Sequence, residues 1–269
     1  MGIILHIGAH HTGSTMVSQS VTSTIALHPD CGVAKWGLRY LREIPGFQAT
    51  TQLVDNDMCF VDEKAVIRLD HLTSFVAFEF AKERAQGHHT LILFVENFIG
   101  GMRDNSETGE FYPYVMHRLV AFDSLLPVSP VQVALGVRKY SAVWTSTFDY
   151  KWQSGREVSD SERAHSTLLN KRGSWPEVAN AAITAWSGVR FLMWQQEHKV
   201  VSGRQICLQI IGLSADKIVI ASGIVNARKS TTARPIVFSS KERKTLSYSY
   251  NYDLRRIQSG ESIQWIGVA

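Results

Sequence analysis

Apolar residues along this chain cluster in short, near-continuous runs rather than alternating with polar ones. Continuous runs of this length are typical of strands whose two faces are both covered, as in a parallel sheet between layers of helices. The pattern predicts strands over 3–7, 90–95, 131–137, 189–194 and 217–221.

The segments between these runs carry apolar residues at helical spacing. Helices are predicted over 19–26, 72–84, 116–122, 175–186, 202–211 and 239–257. Ser174 and Ser239 are the expected N-caps of two of them, and Gly212 is the expected C-cap of a third. Strands that alternate with helices predict an α/β fold, a three-layer sandwich with a mostly parallel central sheet, in a single domain over 1–269.

The composition is that of an ordinary globular protein with a mild positive charge. Of the 269 residues, 45% are hydrophobic and 19% are charged, and the net charge is +4. This charge suits a site for a polyanionic small molecule but is smaller than that of a typical nucleic-acid-binding domain, so no nucleic-acid partner is expected. The charged run 241–244 contains an acid and is typical of a solvated helical face.

The cysteines, the N-terminus and the hydropathy favour a cytoplasmic protein without a membrane span. Cys31, Cys59 and Cys207 are widely spaced and form neither a disulfide framework nor a zinc-binding pattern. No apolar stretch approaches the ~20 residues of a membrane span, and the first residues lack the basic and apolar regions of a signal peptide. The histidine pairs at 10–11 and 88–89 lack the spacing of helical zinc ligands, so no metal is expected.

The first predicted strand runs directly into a glycine-rich loop, Gly8-x-x-x-x-Gly13-Ser14-Thr15, which precedes a predicted helix. A strand, a glycine loop and a helix in this order direct backbone N–H groups and the helix N-terminus toward an anion, usually a phosphate. Ser14 stands where nucleoside triphosphatases carry lysine. The loop alone is equally compatible with an ordinary tight turn between a strand and a helix.

A second feature follows the predicted strand 131–137. Arg138 lies at the carboxyl end of this strand, where ligands bind in open α/β sheets, and Ser146 lies about two helical turns further on. A guanidinium with a hydroxyl nearby suits a second phosphate, separate from the one at the glycine loop. Without that loop, the two residues would be interpreted as a surface arginine and a helical serine.

Together the two features resemble the sulfotransferase family that uses 3′-phosphoadenosine 5′-phosphosulfate (PAPS). The stretch His11-Thr12-Gly13-Ser14-Thr15 is similar to the family's 5′-phosphosulfate loop, and Arg138 and Ser146 have the spacing of its 3′-phosphate site. Bacterial members are particularly similar around 6–13 and 94–97. The similarity extends through 188–192, 210–213, 226–230 and 252–255.

The resemblance implies a P-loop-like fold, a sulfuryl transfer and a site without metal. PAPS would be the co-substrate and adenosine 3′,5′-bisphosphate (PAP) the product. The acceptor would be a hydroxyl or amine of a small molecule, a saccharide or a lipid. The residues expected to hold the nucleotide are Gly8, His11, Thr12, Gly13, Ser14, Thr15, Arg138 and Ser146.

His11 departs from the family, which carries a lysine at this position. An unperturbed imidazole has a pKa near ~6.5, and an adjacent dianion raises it, so a charged His11 could still stabilise the leaving phosphate. Three interpretations stay open: the histidine replaces the lysine, another cation such as Arg228 or Lys229 takes its role, or the site binds without turnover.

Glu96, after the predicted strand 90–95, is the candidate general base for the acceptor, because loops after parallel strands converge on one crevice. Two alternatives stay open: Glu96 caps the turn that follows it, or His10 is the base. Segments 31–70, 100–114 and 153–173 are candidates for the acceptor pocket, with Trp36 and Tyr40 in an irregular segment as aromatic lining.

Two other functions compete with sulfuryl transfer. A P-loop kinase would carry lysine at position 14 and an acidic magnesium ligand after a later strand, and Ser14 argues against it. The other is a degenerate relative that binds nucleotides without catalysis, and His11 is the residue that favours it.

Overall fold

The structure, a computed structural model, describes residues 1–9, 14–44, 63–95, 99–153, 173–221, 238–260 and 262–266. Within these residues, six strands form one sheet in which all neighbours are parallel. In chain order the strands are β1 (Gly2–Gly8), β2 (Val33–Trp36), β3 (Thr90–Phe94), β4 (Gln132–Val137), β5 (Arg190–Gln195) and β6 (Ile263–Ile266). Their order across the sheet is β2-β3-β1-β4-β5-β6.

Helices connect the strands and cover the sheet. Among the described residues, in chain order, they are α1 (Ser14–Leu27), α2 (Leu38–Glu43), α3 (Glu63–Ala85), α4 (Met102–Thr108), α5 (Val115–Asp123), α6 (Tyr140–Gln153), α7 (Trp175–Ala185), α8 (Lys199–Ile211) and α9 (Ser240–Gln258). Short 3₁₀ turns lie at Pro29–Cys31, Gln196–His198 and Ala215–Lys217.

The predicted helix ends at three positions are confirmed. The Ser174 hydroxyl accepts the N–H of Glu177 at 3.4 Å and begins α7. Ser239 begins α9 through a reciprocal capping box with Glu242. Gly212 follows α8 with a φ of 78°, a backbone conformation that favours glycine at helix ends.

Side chains alternate along β1, so different helices cover its two faces. Ile3, Leu5 and Ile7 join a buried cluster to which α3, α5, α6, α7 and α9 contribute, whereas Ile4 packs with α1 and α8 on the opposite face. Two helical layers thus enclose the parallel sheet, which confirms the predicted α/β three-layer fold.

The predicted strand over 217–221 is wrong. Ala215–Lys217 is a 3₁₀ turn, and the backbone after it pairs with side chains of α1 rather than with a strand. The N–H of Val219 donates to Thr24 Oγ1 at 3.0 Å, and the N–H of Ala221 donates to Ser20 Oγ at 2.9 Å. Hydroxyl groups on α1 therefore take hydrogen bonds that a neighbouring strand would have supplied.

The apolar pattern does not predict β2 and β6. Each strand is four residues long, and a polar residue interrupts it, Lys35 in β2 and Gln264 in β6. Runs this short give too few positions for a period to be recognised.

Candidate functional site

The strand order reverses beside β1, and this reversal creates a crevice. From β1 the chain proceeds to β2 and β3 on one side and then crosses to β4 on the other side. The helices that follow β1 and β4, α1 and α6, lie on opposite faces of the sheet, so a crevice opens between the carboxyl ends of the two strands, where open α/β sheets bind ligands.

The glycine loop leaves β1 at this crevice. Gly8 is the last residue of β1 and has a φ of 117°, a conformation that side-chain-bearing residues rarely adopt. The N–H of Ala9 donates to the carbonyl of Gly136 in β4 at 3.2 Å, so the loop starts in direct contact with β4. Ser14, the first residue of α1, is buried, and its hydroxyl donates to the carbonyl of Ala9 at 3.2 Å.

Ala9 and Ser14, the described residues on either side of 10–13, are therefore in contact, and α1 starts at the crevice. The dipole of this 14-residue helix gives its N-terminal end a partial positive charge, which favours an anion there. Ser14 and Thr15, predicted to contribute to the phosphate site, are the first two residues of the helix. Their predicted contact with a phosphate stays a prediction.

The structure brings Arg138 and Ser146 together. Arg138 comes directly after β4, and Ser146 lies in α6 with its side chain buried. The guanidinium Nη1 donates to the Ser146 hydroxyl at 3.4 Å. The two residues thus form a joint polar site at the carboxyl end of the strand beside the glycine loop.

Side chains from three other elements hold the backbone at Arg138. The indole N–H of Trp175, from α7, donates to the carbonyl of Arg138 at 2.8 Å. Glu197, in the turn after β5, accepts the N–H of Lys139 through Oε1 at 2.9 Å and the hydroxyl of Tyr250, from α9, through Oε2 at 3.2 Å. Burial raises the pKa of Tyr250, so its hydroxyl stays protonated and keeps donating.

Aromatic packing around Trp175 also holds the connection between β4 and α6, which carries Arg138, in place. Trp175 is fully buried, and its ring lies edge-on to Phe111 with the ring centroids 4.7 Å apart. The Tyr140 hydroxyl accepts the N–H of Trp175 at 2.8 Å and donates to Asp253 Oδ2 at 2.7 Å. Burial raises the pKa of Tyr140 well above its usual range. The segment that carries Arg138 is therefore pre-organised by buried contacts.

His6 is a buried histidine near the end of β1 that the sequence interpretation missed. Its ring stacks on Phe94, with the centroids 4.8 Å apart, and lies 5.4 Å from the ring of Trp194. Within the described residues, neither ring nitrogen has a hydrogen-bond partner. Burial, together with the charge of Lys35, lowers the pKa of His6 to about 4. The imidazole is therefore neutral at physiological pH. In the sequence, His6 stands out only as a polar residue inside the apolar run 3–7.

Lys35 is a second group that the sequence interpretation missed. It projects from β2 toward α1, where its ammonium donates to the carbonyl of Ser18 at 2.7 Å and to the hydroxyl of Thr22. The ammonium also lies 5.0 Å from the centroid of the Phe94 ring. Burial lowers the pKa of Lys35 to about 8. This cation ties β2 to the helix that follows the glycine loop.

Several predicted site residues lie outside the described residues. They are His10, His11, Thr12, Gly13, Glu96, Arg228 and Lys229. Their predicted roles stay predictions.

The interpretation of Trp36 as part of an irregular pocket-lining segment is wrong. Trp36 is the last residue of β2, has 2% of its surface exposed, and donates its indole N–H to Glu83 at 3.0 Å. The Tyr40 hydroxyl donates to Glu79 at 2.9 Å. Both aromatic residues pack against α3, which explains their position without a ligand.

No protein-family model matches the chain, and no curated protein matches it. Among solved structures, the chain is similar to a sulfotransferase from Alicyclobacillus acidocaldarius, with 12% sequence identity and a TM-score of 0.48. The match covers 96% of this chain and 95% of that chain. A likeness this distant leaves the function to be inferred from the residues themselves. No helix among the described residues combines the length and the apolar character needed to cross a bilayer.

Proposed function

We propose that this chain is a sulfotransferase that moves a sulfuryl group from PAPS to a hydroxyl or amine of an acceptor. One observation supports the proposal most. Nη1 of Arg138 lies 3.4 Å from Oγ of Ser146, the residue with which it is expected to bind a 3′-phosphate. The two residues lie at the end of β4, the strand that contacts the start of the glycine loop. Two elements suited to phosphate thus border one crevice, which fits a nucleotide with phosphates on both sides of its ribose.

The 5′-phosphate would lie at the N-terminus of α1, where the helix dipole favours negative charge. The amides and hydroxyls of the segment 12–15 would donate to its oxygens. The guanidinium of Arg138 would make charge-assisted hydrogen bonds to the 3′-phosphate, assisted by the Ser146 hydroxyl. ADP lacks a 3′-phosphate, so this second site would select PAPS and PAP over ordinary adenine nucleotides.

During transfer, the acceptor oxygen or nitrogen would form a bond to sulfur while the bond between sulfur and the bridging oxygen breaks. The electron pair of that bond would stay on the 5′-phosphate of PAP. Glu96 would take the proton of the acceptor, and His11 as an imidazolium would neutralise the charge that develops on the bridging oxygen. Positioning and charge stabilisation would supply most of the acceleration.

Replacing Arg138 by alanine is expected to weaken the binding of PAP by about 10- to 100-fold, because a charge-assisted contact to the 3′-phosphate is lost. Ser146→Ala is expected to act in the same direction with a smaller effect. Calorimetric titration of each variant with PAP measures the change.

Adenosine 5′-monophosphate provides the matched ligand control, since it lacks the 3′-phosphate and should be affected little by either substitution. Arg103→Ala is the matched protein control, because Arg103 is an exposed arginine of α4 that pairs with Glu107 at 2.8 Å. Unchanged PAP affinity in both Arg138→Ala and Ser146→Ala would remove the 3′-phosphate assignment.

Replacing His11 by lysine is expected to extend turnover to higher pH. Only the imidazolium can neutralise the bridging oxygen, so wild-type turnover should fall as pH rises through the pKa of His11, whereas an ammonium titrates near ~10.4. The rate of PAP release from PAPS, with water as the acceptor, gives both pH profiles. Identical profiles would exclude His11 as the cation, and activity in the lysine variant alone would identify the natural chain as a degenerate enzyme.

A further inference from the structure

The outward side of α9 carries a row of basic and aromatic residues, here termed the α9 stripe. Its members from 241 to 255 follow one another at intervals of three or four residues, the last member, 256, is adjacent to 255, and all of them therefore lie along one side of the helix. Each of them is exposed. They are Lys241, Lys244, Tyr248, Tyr252, Arg255 and Arg256.

The opposite side of α9 holds the helix in place. Leu246, Tyr250, Leu254 and Ile257 are buried in the core, and the helix packs against α6, α7 and β6. The stripe therefore lies outside the buried core and faces solvent on a helix that the core holds in place. Its length from 241 to 256 is ~22 Å at the rise of an α-helix.

Neither acid of α9 belongs to the stripe, which is therefore positively charged. The helix contains five basic and two acidic residues. Asp253 is buried and accepts the hydroxyl of Tyr140, and Glu242 accepts the N–H of Ser239 at the start of the helix. Within the described ranges, the four basic residues of the stripe form no ion pair.

Two exposed tyrosines distinguish the stripe from an ordinary solvated face that carries only charged residues. Tyr248 and Tyr252 are one helical turn apart and have 70% and 50% of their surface exposed. The guanidinium of Arg256 lies 6.0 Å from the centroid of the Tyr252 ring. Exposed tyrosines flanked by cations suit the boundary of a lipid bilayer, where the ring lies among headgroups and the hydroxyl reaches water.

We propose that the α9 stripe binds the surface of a membrane that contains anionic lipids. Basic side chains on a helix are attracted to the negative headgroups, and the tyrosines add interfacial contact. The outward face of a straight helix can contact the flat surface of a bilayer along its whole length. Single-stranded nucleic acids are instead bound in grooves, so the geometry favours the membrane.

Flotation with vesicles tests this proposal with the full-length chain. Binding is expected to vesicles of phosphatidylcholine mixed with phosphatidylserine, to decrease as salt is raised, and to be absent with phosphatidylcholine alone. A variant with the four basic residues of the stripe replaced by glutamine should lose at least about tenfold in binding to the mixed vesicles. Tyr248→Ser with Tyr252→Ser should weaken binding at unchanged charge.

The matched control removes the same charge from other exposed positions. Its substitutions are Arg39→Gln, Arg84→Gln, Arg204→Gln and Lys217→Gln. This control should bind the mixed vesicles nearly as the wild type does, and the thermal midpoints of both variants should stay near the wild-type value. No binding to the mixed vesicles, equal loss in the control, or retention only by a single-stranded oligonucleotide would overturn the proposal.

Discussion

Replacing Trp175 by alanine is expected to lower the free energy of unfolding by about 4 kcal/mol, one of the largest effects of any single substitution in this chain. The indole is fully buried and contacts the rings of Phe111, Tyr112 and Tyr140. Its removal leaves a cavity between α7 and the β4–α6 connection. Denaturant unfolding followed by circular dichroism measures the loss.

The conservative variant Trp175→Phe separates packing from the hydrogen bond to the Arg138 carbonyl. Phenylalanine retains most of the aromatic contact but has no N–H, so the 2.8 Å hydrogen bond is lost and Arg138 loses one of its anchors. We expect about 1 kcal/mol of destabilisation and a weaker affinity for PAP.

Trp186→Phe is the matched control for this variant. Trp186 is also buried, and its indole N–H donates to Asp123 at 2.6 Å, at a place in the fold away from Arg138. It should lose similar stability without losing PAP affinity. If both phenylalanine variants bound PAP like the wild type, the Trp175 hydrogen bond would have no part in positioning Arg138.

Lowering the pH from 7 to about 4 is expected to destabilise the protein by about 3 kcal/mol through His6 alone. Burial lowers the pKa of His6 from 6.5 to about 4 in the folded chain. Between these two values the unfolded chain binds a proton that the folded chain excludes, so stability rises with pH across this window. Above the upper value the contribution is constant. Unfolding measured at several pH values gives the slope.

His6→Phe should flatten this pH dependence. A phenyl ring can occupy the space between Phe94 and Trp194 and does not titrate, so the histidine contribution to the slope between pH 4 and 6.5 disappears. His117→Gln, at an exposed position on α5, controls for removal of a histidine. A slope that is the same in His6→Phe and in the wild type would show that another group controls acid stability.

The central part of the fold could be predicted because its signals are local. The strands over 3–7 and 131–137 are near-continuous apolar runs, each with one polar residue (His6 or Gln132), and each is followed directly by its candidate site residue, Gly8 or Arg138. The proximity of Arg138 to Ser146 is also local. Arg138 lies just before α6 and Ser146 lies in its second turn, so the formation of this helix fixes the distance between them.

The remaining features depend on contacts between distant parts of the chain. The hydrogen bond from Trp175 to Arg138 joins residues 37 positions apart, and that from Lys139 to Glu197 joins residues 58 positions apart. Apolar residues at 217–221 suggest a strand, yet the backbone N–H groups of Val219 and Ala221 donate to hydroxyl groups of α1 instead of to a neighbouring strand. The periodicity of apolar residues indicates only which face of an element is buried, so it cannot identify the distant residue with which a backbone or side-chain group forms a hydrogen bond.

Calorimetric titration with PAP, beside ADP and ATP with and without magnesium, tests the central claim most directly. The claim is that one crevice binds phosphates at both the glycine loop and Arg138. It predicts that PAP binds in preference to ADP and ATP, that magnesium has no effect, and that Arg138→Ala removes the preference. Preference for ATP in the presence of magnesium would indicate a kinase instead, and no binding of any of the three nucleotides would contradict the claim altogether.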